Sequence, residues 1–429
     1  MYRYITMKLP ANLFPTKSDY LGLSKSWRVD LVAGITVGIV ALPLALAFGI
    51  TTGAGASAGL ITAVLAGLIA AIFGGSHLQV SGPTGAMTVV LVPIVAKYGV
   101  GVLVPLGAVA GVLVVLSGIF GLGNLINRVP WSVMEGFTLG IAMVIGLQQM
   151  PMALDIAKAP GERTIPVAWG TLRNAINAGL HWTSILIVIA TLAIKFATPR
   201  VLKKLKITVF IPGSFLSIFI MTAVLWEAHV AKVGNIPRAL LNTHGHSFSL
   251  QGMTALAFVY AAFSIAVLSG IESLLSARVA DQMAHHRGLT KTIPNRELFG
   301  QGLATLFASL LGGIPATGAI ARTSVNVRSG ATTRLAAIAH SAFLILIITS
   351  LGPVISHVPT ATLAAVLIGT SIRIASPMRL REVLRTTGPD EIIMMITAAS
   401  VLLIDLIWGI AIGVVLHIIF TKFFKKKVN

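Results

Sequence analysis

Apolar runs of about twenty residues, broken by short polar or basic stretches, recur along the whole chain, and a helix of that length crosses a hydrocarbon layer about 30 Å thick. The pattern predicts spanning helices near 30–50, 56–74, 82–97, 100–121, 129–149, 182–198, 207–228, 252–280, 297–312, 316–327, 333–350, 359–372, 390–407 and 409–424. Of these fourteen segments, 82–97 and 316–327 are short, and each follows a Gly-Gly pair and an extended stretch. The stretches read as copies: Val80-Ser81-Gly82-Pro83-Thr84-Gly85-Ala86-Met87 and Gly313-Ile314-Pro315-Ala316-Thr317-Gly318-Ala319-Ile320, with Thr84 and Thr317 separated by 233 positions.

The same offset carries the first segment onto the eighth and the fourth onto the eleventh. The chain therefore reads as two repeats of seven, and an odd number of crossings gives the second repeat inverted topology. Interrupted segments at matching places in two such halves point to a transport site. A helix that begins inside the bilayer leaves its first N–H groups unpaired and its positive dipole end facing a cavity, an arrangement that attracts anions.

Composition supports a polytopic membrane protein: 55% of residues are hydrophobic, 10% are charged, and the mean hydropathy is +0.90. The net charge of +19 is spread between apolar spans rather than gathered in a basic domain, so nucleic acid is not an expected partner. Membrane lipid is. Arg3, Lys8, Lys17, Lys25 and Arg28 precede the first span, and Arg128, Lys195, Arg200, Lys203, Lys204, Lys206, Arg278, Arg287, Lys291, Arg296, Arg328, Arg334, Arg373, Arg379, Arg381, Arg385, Lys422, Lys425, Lys426 and Lys427 fall in stretches that read as loops on that same side. By the positive-inside rule both termini are expected in the cytoplasm, in an inner cell membrane. The longest loops of the opposite side, about 150–181 and 229–251, hold few cations. The polar, basic first thirty residues lack the apolar core of a cleavable signal peptide. Absence of cysteine excludes disulfides, thiolate metal sites and Cys nucleophiles.

Glu272 is the leading candidate for chemistry, because it lies deep in a span and an ionisable group there is functional by default. It suits a transported proton, or a Na⁺ held with Ser276 one helical turn away; the sequence does not choose between them. Thr84 and Thr317 bring hydroxyls to the two half-helix starts, where Gly85, Ala86, Gly318 and Ala319 let a ligand approach backbone N–H groups. Arg322 has two readings, one in which it neutralises an anion in the cavity and one in which it snorkels to the membrane surface near Arg328. Asp405 and Glu135 read as interfacial, and the pairs His244/His246 and His285/His286 as solvated loop histidines rather than metal ligands. The Gly-rich stretches Gly53-Ala54-Gly55-Ala56 and Gly121-Leu122-Gly123 lack the Lys-Ser/Thr of a phosphate loop and suit close helix packing. The spans hold no convergent set of catalytic groups, so an enzyme is not expected, and neither is an organic cofactor.

Asp30-Leu31-Val32-Ala33-Gly34 through Pro43, Gln79 through Ala86, Gly270-Ile271-Glu272-Ser273-Leu274-Leu275-Ser276 through Asp281, Gln301-Gly302 and Gly312 through Thr323 together resemble the SulP family of sulfate permeases and related anion transporters. The resemblance implies an all-α fold of fourteen segments in a seven-plus-seven inverted repeat, like that of the uracil transporter. After a cytoplasmic segment 1–29, it divides the transmembrane domain 30–424 into a core (segments 1–4 and 8–11, about 30–121 and 252–350) and a gate (segments 5–7 and 12–14, about 129–228 and 359–424). Carried over by position, Phe48, Thr84, Ala319 and Arg322 face the substrate, and Glu272 with Ser276 handles the coupling cation. Leu44 departs from the pattern, since many members carry Gln after the equivalent of Pro43. Most members continue into a cytoplasmic STAS domain; here a short tail, 425–429, is expected and no STAS domain. The function this implies is secondary active transport of sulfate, bicarbonate or a dicarboxylate by alternating access, coupled to H⁺ or Na⁺ in a homodimer. An uncoupled exchanger or channel on the same scaffold is the alternative.

Overall fold

In a computed structural model of the chain, the structure describes residues 13–20, 22–206, 211–234, 236, 250, 252–285, 289, 291–376 and 388–424. Arg3, Lys8, His244, His246, His286, Arg287, Arg379, Arg381, Arg385, the tail 425–429 and positions 207–210 of the seventh expected segment lie outside these.

Each of the fourteen expected segments is a helix: α1 (Leu23–Thr51), α2 (Ala56–Phe73), α3 (Gly85–Tyr98), α4 (Leu103–Ile119), α5 (Trp131–Gln148), α8 (Trp182–Lys204), α9 (Gly213–Val224), α10 (Ala255–Ala284), α11 (Pro294–Leu310), α12 (Ile320–Arg328), α13 (Leu335–Ser356), α14 (Thr360–Ala375), α15 (Pro389–Leu403) and α16 (Leu406–Phe424). Among the described residues, seven helices are long and apolar enough to cross a membrane on their own terms, and others are shorter apolar helices that pack among them. The expected loop at about 150–181 instead holds two further helices, α6 (Met150–Leu154) and α7 (Thr164–Ala178). Helix α7 is amphipathic: Val167, Ala168, Thr171 and Ala175 turn inward while Ile165, Trp169 and Ile176 stay exposed. Its alternating polar residues interrupt any long apolar window, which is why it reads as a loop in the sequence.

The helices gather into two bundles. In the first, α4 lies along α11, α1 along α13 and α2, and α10 against α4 and α12. Small residues bring these axes close: a side chain on Gly302 would meet the backbone of Val115, and one on Gly111 the backbone of Leu306. In the second, α5 packs on α15, α14 and α16, and α8 on α14 and α9.

At the centre of the first bundle the chain twice abandons the helix. Strands β1 (Ser81–Gly82) and β2 (Thr317–Gly318) pair antiparallel, Ser81 opposite Gly318 and Gly82 opposite Thr317. This pairing satisfies backbone groups that would otherwise be orphaned inside the membrane, and it delays the half-helices to Gly85 and Ile320, later than the expected starts at 82 and 316. Two inverted repeats thus cross at one point, each contributing a strand and then a half-helix.

Candidate functional site

The crossing determines what the half-helices present. Thr84, extended at φ −127° and ψ 163°, caps α3 by accepting a hydrogen bond from the Met87 N–H. Ala319 offers α12 no such cap. Among the described residues the N–H groups of Gly85 and Ala86, and of Ile320, Ala321 and Arg322, have no hydrogen-bond partner. Two clusters of free donors, each at the positive end of a helix, therefore open onto the same space.

That space is a cavity of about 310 Å³ lined by Leu44 and Phe48 of α1, by Pro83, Thr84, Gly85 and Ala86, by Glu272 and Leu275 of α10, and by Ala319 through Arg322. The second bundle closes it with Phe137, Thr138, Ile141 and Ile145 of α5 and Leu367, Thr370 and Ile374 of α14. Leu44 stands at the cavity wall, which is mainly apolar apart from the half-helix starts, Thr138, Thr370, Glu272 and Arg322. Thr317 and Gly318 lie behind the wall, in the strand pair.

Glu272 joins the repeats. Its Oε2 accepts from Thr84 Oγ1 at 2.8 Å and from Thr317 Oγ1 at 2.6 Å, and the two hydroxyls are 2.9 Å apart. The neighbouring positions stitch the same crossing: Ser273 Oγ accepts from the Gly318 N–H at 2.9 Å, Ser269 Oγ donates to Ala316 O at 2.9 Å, and Ser81 Oγ donates to Gln301 Oε1 at 2.6 Å. Ser276 does not join the Glu272 cluster; its hydroxyl donates to Thr323 Oγ1 at 2.9 Å.

Burial removes the reading in which Arg322 snorkels to the membrane surface. The side chain is 1% exposed, its Nη2 donates to Pro83 O at 2.9 Å, and Nε and Nη1 have no hydrogen-bond partner among the described residues. Gly82 is what admits it, since a Cβ there would strike Nη1. A buried guanidinium with two idle donors at the edge of a cavity is suited to an anion.

Other sequence expectations fare differently. Lys195, Arg296 and Arg334, counted among loop cations, are buried at 1%, 2% and 0% exposure. Arg296 and Arg334 hold Asp19 of the N-terminal segment, at 2.9 Å and 3.7 Å. Glu297, next to them, accepts from the Ser76 N–H and Gln79 Nε2, both at 2.8 Å. Asp405 sits at the break between α15 and α16 and accepts from the Tyr260 hydroxyl at 2.8 Å. Glu135 accepts from Trp131 Nε1 at 2.6 Å. The cavity residues of α5 and α14 have no sequence signal, because an apolar wall looks like any other apolar helix face.

The cavity adjoins a cleft on one side. The cleft, of about 250 Å³ at the face where α1 begins, shares Thr138, Leu275, Ile320 and Ile374 with it and reaches Trp131, Glu135 and Ser376. A crevice at the opposite face, lined by Lys97, Glu162, Tyr260 and Asp405, shares no lining residue with it. There the bundles are clasped by Lys97 Nζ to Glu162 Oε1 at 2.6 Å, Tyr260 to Asp405, and Thr51 Oγ1 to Gln149 Oε1 at 3.1 Å.

Crossed half-helices between two bundles, with an acid beneath them, define a membrane transporter built as a seven-plus-seven inverted repeat. The profile of the sulfate permease family matches residues 27–397, and the chain belongs to that family. Its members are transporters of anions rather than enzymes. The sequence is 36% identical over 403 residues to YvdB of Bacillus subtilis, whose name gives sulfate as its provisional substrate, covering 92% of this chain and 74% of that one. It is 30% identical to the bicarbonate transporter BicA of Picosynechococcus, covering 90% and 69%. The structure of a cyanobacterial BicA transmembrane domain superposes with a TM-score of 0.79 at 27% identity, covering 90% of this chain and 98% of that one. Murine Slc26a9, an anion transporter captured in an inward-facing state, shares the fold at 18% identity and a TM-score of 0.79, covering 96% and 71%.

Proposed function

We propose that this protein is a secondary active transporter of a small oxyanion, of the sulfate, bicarbonate or dicarboxylate class, that couples uptake to H⁺ or Na⁺ through Glu272. The observation that carries the reading is the carboxylate of Glu272 holding Thr84 and Thr317 together directly beside the anion cavity. Anion and cation would then meet at one crossing. The anion takes the free N–H groups and the idle donors of Arg322, with Phe48, Gly85, Ala86 and Ala319 shaping the pocket. The cation neutralises Glu272 and frees or redirects the two threonine hydroxyls, so occupancy of one site alters the donors around the other.

The first bundle acts as the moving core and the second as the gate, in alternating access. The cavity opens to the face carrying the N-terminus, which we assign to the cytoplasm of an inner membrane, so the present conformation is inward-facing. Closure of the opposite face by the clasps favours a carrier over an open channel. We assign the working unit as a homodimer.

The test is uptake of labelled sulfate and bicarbonate into proteoliposomes under imposed pH or Na⁺ gradients. Wild type should concentrate one of them when a gradient is present, whereas Glu272→Gln should equilibrate it without concentrating it. Normal accumulation by Glu272→Gln would remove the coupling role. Cross-linking in the same liposomes reads the dimer.

A further inference from the structure

Lys195 lies midway along α8, 1% exposed, and takes no part in the cavity chemistry described above. Its Nζ donates to Val366 O at 2.6 Å and to Thr370 Oγ1 at 2.9 Å, both on α14. These partners are neutral, and among the described residues no carboxylate stands within ion-pair distance of it. The Thr370 hydroxyl donates to Val366 O at 2.7 Å and accepts from Lys195 with its oxygen, and it lines the cavity beside Leu367 and Ile374. Gly369 makes the fit possible, since a Cβ there would stand 3.0 Å from both Cδ and Nζ of the lysine.

A pin between α8 and α14 needs no charge, and a buried cation is costly to keep where an apolar residue would pack as well. What the ammonium provides is a positive charge that no carboxylate cancels, one hydroxyl away from the cavity. Arg322 and the half-helix starts all belong to the first bundle. We propose that Lys195 is a positioning residue for the transported anion: Thr370 holds its ammonium against the cavity wall, and the charge supplies the second bundle's share of the positive potential in the cavity. This rests on the reading of the cavity as the anion site, and it explains how the anion is attracted from both bundles.

The experiment is ligand-dependent thermal stability of the full chain in detergent, titrated separately with sulfate, bicarbonate, chloride and succinate. For each anion that stabilises wild type, Lys195→Met should weaken apparent affinity about ten- to fiftyfold, the size a unit charge exerts over roughly 7–12 Å at an effective dielectric of about 20. The loss should be greater for sulfate than for chloride. Lys195→Arg, which keeps the charge, should restore affinity to within about threefold. Thr370→Val, which keeps the lysine and removes the hydroxyl, should also weaken it. A structural pin would lower the anion-free Tm of Lys195→Met and leave its affinity unchanged, and that result overturns the inference. If Lys195→Met does not fold, unchanged affinity in Thr370→Val overturns it instead. A wild type stabilised by none of the four anions removes the cavity reading and this inference together. A wild type that responds, with Arg322→Gln weakened and Lys195→Met unchanged, removes this inference alone.

Discussion

Each half-helix start owes its shape to residues too small to get in the way. Ala319 lines the cavity where α12 begins, so Ala319→Phe should fill the space an anion needs and abolish anion-dependent stabilisation; undiminished affinity would exclude the half-helix site. Gly82→Ala should displace the Arg322 guanidinium and weaken anion affinity in the same assay, for the opposite reason, by moving the donor rather than blocking the pocket. Outside the membrane, Asp19 accepts from Arg296 Nη1 through both oxygens, at 2.9 and 3.0 Å. Burial pushes its carboxyl up, but hydrogen bonds from Arg296 and Thr16 outweigh that and hold it well below the usual 3.8. His77, 3.5 Å away, is held below the usual 6.5 by burial first and then by Arg334, against the pull of Asp19. Both groups have a folded pKa below the unfolded one, so each stabilises above its unfolded value and loses that contribution as pH falls. Thermal stability should therefore decline in two stages, beginning below pH 6.5 for His77 and below 3.8 for Asp19. Asp19→Asn should remove the second stage and cost about 3 kcal/mol at neutral pH by leaving buried arginines unpaired. An unaltered pH profile in Asp19→Asn would show that the contact carries no stability.

Helix α11 illustrates what holds the first bundle together at the scale of elements. Gly302 and Gly111 allow α4 and α11 to touch through backbone, and Gly111→Val should cost about 1–3 kcal/mol by overpacking, read as a lower Tm; an unchanged Tm would mean that the helices separate freely. Such contacts follow from sequence, where small residues recur along these spans. The strand crossing is legible too, because Pro83-Thr84-Gly85-Ala86 and Ala316-Thr317-Gly318-Ala319 announce themselves as a pair, and Glu272 stands out as an acid in an apolar run. Less could be read of its surroundings. Ser273, Gln301 and Thr323 stand in the motifs of the resemblance and Ser269 just outside them, but their partners are set only when the fold brings them to the crossing. Lys195 and Arg334 are hidden differently: Arg334 stands just before its helix and Lys195 a turn before the expected end of its segment at 198, so both read as loop charge, and only the longer helix α8 and tertiary packing bury them. The amphipathic α7 was lost because its apolar face is narrower than a spanning helix requires.

For the whole molecule, the asymmetry between its two faces is the consequential feature. The cleft at one face adjoins the cavity, while the other face is held by contacts that join α3, α10 and α1 to the second bundle. In alternating access these contacts must part each time the cavity changes sides. The chain contains no cysteine, so single introduced cysteines can report that change. Glu162→Gln should raise labelling of Ile94→Cys in the clasped crevice and lower that of Thr138→Cys, which lines both the cavity and the cleft. Equal labelling with and without the clasp would show that it does not contribute to closure. Lys97 and Glu162 are also well exposed, at 49% and 62%, and an exposed ion pair weakens progressively as salt rises. Salt on that side of the membrane should then loosen the closed state while the same salt on the other side does not, making transport speed sensitive to the ionic strength of one compartment.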